Sequence, residues 1–174
     1  FVDVFKNAGI QIVHLAEFHN RLGRARRDHR KTLPLLKTMH DECARLSDGE
    51  LLLLPGEEPN VHLGGHWISF FPRPVMWVLK RAKDKPFIEE HPEYGRVYHV
   101  GSAREVLKMM ELEKGLMWAA HPRIKGSTGY PDRYREETFF KSDHLGGAWK
   151  AMPADLSRAR LGWRVLDLLD DTAN

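Results

Sequence analysis

The chain has 174 residues, and its 27 Lys and Arg against 24 Asp and Glu leave a net charge of +3 with the histidines neutral. Hydrophobic residues make up 42% and charged residues 29%, ordinary globular usage that excludes intrinsic disorder and collagen-like repeats. The longest apolar run, Leu51 to Pro55, is too short to span a membrane, and the lone Cys43 excludes an intramolecular disulfide framework or a Cys-only metal site.

Ile10 to Leu15 is β-branched and apolar behind Gly9 and predicts a buried strand. After the basic stretch Arg21 to Lys31, helical spacing of Leu35, Leu36, Met39 and Cys43 predicts an amphipathic helix over Lys31 to Leu46, ended by Ser47-Asp48-Gly49. Leu51 to Leu54, stopped by Pro55-Gly56, reads as a strand buried on both faces, and His66 to Phe71 as the next strand. Residues 72–101 carry prolines, mixed charges and scattered aromatics and read as an irregular excursion. Ser102 and Glu105 form a capping box before Val106, Leu107, Met109, Met110 and Leu112, a helix that Gly115 ends. Leu116 to Ala120 is the next predicted strand, Gly126 to Pro131 a loop, Asp143 to Ala151 a segment holding a short strand, and Arg160 to Leu169 a final helix. Strands alternating with helices give an α/β class, with active residues expected at strand C-terminal ends.

The ten histidines stand out, and several functional residue types fall at strand boundaries. His19 follows the first strand, Glu57 and Glu58 the second, His66 opens the third, and His121 ends the fourth. Imidazole with carboxylate suits Zn, Mn or Fe, and a carboxylate can bridge two ions. A lone histidine at a strand end is more often a hydrogen-bonded structural residue, and no compact motif such as HExxH is present. It is the coincidence of four such positions that favours a metal site. Trp67, Trp77 and Trp118 could wall a pocket, with core packing as the default reading.

At these positions the chain resembles the PHP (polymerase and histidinol phosphatase) superfamily, nearest its carbaryl-hydrolase-like branch. Gly9 to Asn20 resembles a strand ending in a Thr-Asp-His-Asn type motif, Pro55-Gly56-Glu57-Glu58 the Pro-Gly-x-Glu motif, Gly65-His66 a strand-opening Gly-His, and Ala120-His121-Pro122 an Asn-His-Pro motif. The likeness covers residues 4–125, with 126–174 loop-rich before the last helix. It implies a single domain that is part of a distorted (β/α)7 PHP-type, TIM-like barrel truncated at both ends. It also implies divalent metal ions, two or three in the intact protein, held by His19, Glu58, His66 and His121. Glu57 stands at the family's variable position, so Glu58 is the implied bridging ligand. The implied activity is hydrolysis by metal-activated water of a small-molecule phosphoester, or of a carbamate or ester.

The chain departs from the pattern in three places. Phe18 replaces the usual Asp, the opening His-x-His has no counterpart, and Asp143-His144 is adjacent where the closing Asp-x-His is spaced by one. With Phe1 in place of an initiator Met, the chain reads as an internal piece that supplies part of the cluster and is inactive alone. His62 and Arg123 neighbour the motifs and are candidates for general acid; Arg123 and Lys125, leading into Gly126-Ser127-Thr128-Gly129, are candidates for holding an anionic substrate group. Asn20 could orient His19. The arginine-rich run Arg21 to Lys31 opens the alternative of nucleic-acid binding, but it lacks interleaved aromatics, carries Asp28 and reads better as a solvated entry to the helix. A PHP-like domain without catalysis is the third class left open.

Overall fold

The computed structural model describes residues 1–16, 29–59, 62–120, 137 and 145–148. These residues mix helices with strands: α1 (Val2–Asn7), β1 (Ile12–Leu15), α2 (His29–Leu46), β2 (Leu52–Pro55), β3 (Trp67–Phe70), β4 (Met76–Val78), β5 (Ile88–His91), β6 (Gly95–His99), α3 (Ala103–Leu112), β7 (Leu116–Ala120) and β8 (Leu145–Ala148). The strands form three small sheets, ordered β1-β2, β3-β7-β8 and β4-β6-β5, and close no barrel among the described residues. The chain divides into two compact units, 1–59 with 70–101, and 60–69 with 102–174. No described helix is long and apolar enough to cross a membrane. The loop Gly126 to Pro131 and the helix Arg160 to Leu169 expected from sequence lie outside the described residues.

In the first unit, β1 and β2 pair in parallel from Ile12↔Leu52 to Leu15↔Pro55. Their shared face packs into a core of Cys43, Leu51 and Leu53, with Val2, Phe5, Val13, Leu15, Met39 and Leu46 against it. The expectation that Leu51 to Leu54 is buried on both faces is corrected: Leu53 is 3% exposed but Leu52 is 44% exposed, because α2 covers one side only. The apolar stripe of α2 is also rotated from its predicted position. Leu33, Leu36 and Cys43 are buried while Leu35 is exposed, since adjacent helical residues point about 100° apart. The short α1, absent from the sequence reading, is fastened to the turn before β2, where Lys6 pairs with Asp48 and Glu50. Asp48 Oδ1 also accepts the N–H groups of Glu50 and Leu51 at 2.9 and 3.0 Å.

Residues 72–101 are not irregular. β4 runs parallel to β6 (Trp77↔Tyr98), and β5 runs antiparallel to it (Glu89↔Val97). The β5–β6 hairpin turns at Gly95, φ +67°, where His91 Nδ1 accepts the Glu93 and Tyr94 N–H groups. Three-residue β4 is wholly buried, and Trp77, Val97, Tyr98 and Val100 are 2% exposed or less.

In the second unit, the Ser102 hydroxyl accepts the Glu105 N–H at 3.3 Å and starts α3, whose Val106, Leu107, Met109 and Met110 are buried. Gly115 closes the helix as expected, but it is not the residue that takes the left-handed turn. The left-handed residue is Lys114, φ +52°, with Lys114 N–H bonded to Glu111 O (3.2 Å) and Gly115 N–H to Met110 O (2.8 Å). That is the two-bond cap usually built around glycine. β7 then lies between β3 and a parallel β8 (Ala120↔Ala148). Trp67 and, in the first unit, Trp77 are core residues as expected, whereas Trp118 is 43% exposed because alternation along β7 turns it away from buried Met117 and Ala119.

Two outcomes follow from these contacts. The Asp48 carboxyl is held down to about 2, first by the Lys6 ammonium and then by the Glu50 and Leu51 N–H groups. A depressed carboxylate stabilises the fold above its unfolded value and loses that contribution as pH falls through the folded one. Acid unfolding followed by circular dichroism should therefore show a loss between pH 3.8 and 2 that is absent in Asp48→Asn, which is less stable at neutral pH. Lys114→Gly relieves a left-handed Cβ and should raise stability by about 1 kcal/mol in denaturant titration.

Candidate functional site

Parallel pairing places the C-terminal ends of β1 and β2 at one end of their sheet, and the Gly56 N–H bond to Leu15 O (3.0 Å) extends the pairing there. The two-residue period of β2 puts Glu57 on the Leu53 side, facing α2, and Glu58 on the Leu54 side. Burial agrees: Glu57, itself in a β-bridge, is 1% exposed, while Glu58 is half-buried. On the same side as Glu58, the His14 ring lies 4.2 Å from that of Phe70.

In the second unit His66 immediately precedes β3 and is half-buried between buried Gly65 and Trp67. Its carbonyl accepts the Ala120 N–H at 3.0 Å, joining the start of β3 to the end of β7. His66 is thereby brought beside the residue that precedes His121 in the chain. His62, four residues before His66, is half-buried with φ +69°. His19, Asn20, His121, Arg123 and Lys125 lie outside the described residues, as do Phe18, Asp143 and His144. Of the four implied metal ligands, the structure thus describes Glu58 in one unit and His66 in the other. Among the described residues no three His, Cys, Asp or Glu side chains converge to hold a metal ion.

A polar cluster missed in the sequence lies in the β5–β6 hairpin. His99, 2% exposed, has Nε2 2.6 Å from Glu89 Oε2, and Glu89 Oε1 accepts from Lys85 Nζ at 2.6 Å. Lys85, first, and then His99 hold the Glu89 carboxyl below its ordinary value. The carboxylate orients the buried imidazole and fastens β5 to β6. His40 on α2 is a second enclosed, half-buried imidazole. Its Nε2 is 3.4 Å from the Val75 carbonyl oxygen, and burial pushes its basicity below the ordinary value. A neutral His40 fits a packing role between α2 and the segment before β4.

Comparison with models of known protein families, with curated proteins and with solved structures gives no match for this chain.

The Glu89 link has a definite pH signature. Its carboxylate stabilises the fold above the ordinary value of 4.5 and ceases to as pH falls through its lower folded value. Glu89→Gln should lower the melting temperature at pH 7, and the gap to wild type should close on acidification below about 4.5 in thermal melts across pH.

Proposed function

We propose that this chain belongs to a metal-dependent hydrolase of PHP type, built on the α/β barrel of that superfamily, acting on a phosphoester or on a carbamate or ester. The observation that carries the reading is the Ala120–His66 backbone bond, which joins His66 to the residue that precedes His121 in the chain. The side-by-side C-terminal ends of β1 and β2, the strands that precede His19 and Glu58 in the chain, support it as well.

The donor set is chemically suited to Zn, Mn or Fe: imidazoles of His19, His66 and His121, and the Glu58 carboxylate with two oxygens for two ions. Glu58 serves better than Glu57, because Glu57 lies on the side that α2 covers. Bound ions would supply an acidified water and a counter-charge for developing oxyanion character. The chain's own residues hold those ions and orient the substrate. Arg123 and Lys125 would offer cationic donors to an anionic group, and Arg123 or His62 a proton to the leaving group.

The test is elemental analysis of the full-length protein. Wild type is expected to carry two or three Zn, Mn or Fe ions, with Glu58→Gln and His121→Ala each losing at least one and Glu57→Gln retaining the set. A folded wild-type protein without metal, or Glu58→Gln with full stoichiometry and activity, overturns the reading.

A further inference from the structure

We infer that the seam between α2 and β4 is an acid-opened joint, with His40 as the group whose protonation parts it while the rest of the first unit stays folded. α2 is the helix that both sheets of that unit share: its Cys43 packs with Leu51 and Leu53, and it also lies against β4. His40 sits where α2 meets the segment before β4, with Nε2 3.4 Å from the carbonyl oxygen of Val75, itself 3% exposed. Its Nδ1 is buried and has no hydrogen-bond partner among the described residues.

The arrangement suits a neutral ring. A carbonyl only accepts, so Nε2 carries the proton and Nδ1 keeps its lone pair. A second proton would make Nδ1 a charged donor, enclosed and without an acceptor, which is costly. The surroundings supply no countercharge. Val75, Met76, Trp77 and Val78 have no titratable side chain. Asp41, the one carboxylate among the described residues that acts on His40, is exposed, points about 100° away around the helix and is engaged by Lys37 Nζ at 2.6 Å. Glu93 and Tyr94, in the β5–β6 turn, act on Lys37 and not on the ring. Desolvation accordingly pushes the basicity of His40 below its ordinary value of 6.5. Because the folded ring holds its proton less tightly than the unfolded one, the closed seam is most stable above 6.5 and weakens as pH falls below it.

The other edge of the β4-β6-β5 sheet has the opposite character. His99 has a Glu89 carboxylate oxygen 2.6 Å from Nε2, and Lys85 holds the same carboxylate. That link lasts until Glu89 takes a proton, below 4.5. Between 6.5 and 4.5 the α2 seam weakens while the hairpin holds, so acid opens one joint in place of unfolding the unit.

The test is hydrogen exchange on the full-length protein at pH 7.5 and 5.5, corrected for intrinsic rates, with the titration of the wild-type His40 ring followed by NMR. Opening of α2 and of Val75 to Val78 should rise up to about tenfold at pH 5.5, the effect of one proton taken up by the open ring alone. Exchange in the β5–β6 hairpin and in α3 should not change. His40→Gln keeps a neutral N–H donor toward Val75 and should abolish the rise; His40→Leu should abolish it too, with less protection of the seam at both pH values. A wild-type ring that titrates at or above 6.5 overturns the inference, and this readout does not depend on the variants folding. A rise equally large in both variants, or one spread evenly over every element, overturns it as well.

Discussion

The parallel pairing of β1 and β2 over α2 decides which residues can form a site in the first unit. Side chains alternate along a strand, so a slip of one residue would turn Val13 and Leu53 out of the core and bring Ile12 and Leu52 in. Burying leucines such as Leu51 and Leu53 contributes about 1.5–3 kcal/mol each. The exposed ion pairs of the same unit, such as Lys37–Asp41 and Arg45–Glu42, contribute far less. Hydrophobic register therefore sets the pairing, and the pairing sends Glu57 to the α2 side and Glu58 to the other.

The same logic governs the second unit through different residues. Met109 and Met110 of α3 and Met117 of β7 are fully buried, and β7 sits between β3 and β8. Central placement of β7 puts its last residue against His66. Two positions far apart in the chain become neighbours because the backbone N–H at the end of the central strand requires an acceptor. The bend before His66 is tolerated in that setting because Leu63 is driven into the core while His62 carries the conformational cost.

Where local rules decide, the sequence was legible. Leu116 to Ala120 is a strand at its predicted bounds, Ser102 caps its helix, and the short strand expected within Asp143 to Ala151 is β8. Where two distant segments cooperate, it was not. β4 has three residues and β5 alternates exposed Ile88 and Glu90 with half-buried Glu89 and His91, too little pattern to separate strands from loop amid prolines. Both are made strands by β6, which bonds to them from either side. The Lys85–Glu89–His99 cluster was invisible for the same reason, since it exists only once the hairpin has closed.

The sequence by itself determined the strand and helix segments with strong periodicity or caps, and the order of His19, Glu58, His66 and His121 along the chain. Those are properties of spacing and residue type, which act over a few residues. Only the tertiary structure decided that Leu52 and Leu35 face outward, that Glu57 rather than Glu58 is enclosed, that Lys114 takes the left-handed position, and that Ala120 meets His66. Each of these depends on which surface a distant element covers or which distant backbone group is left to be paired, and neither is written in any local run of residues.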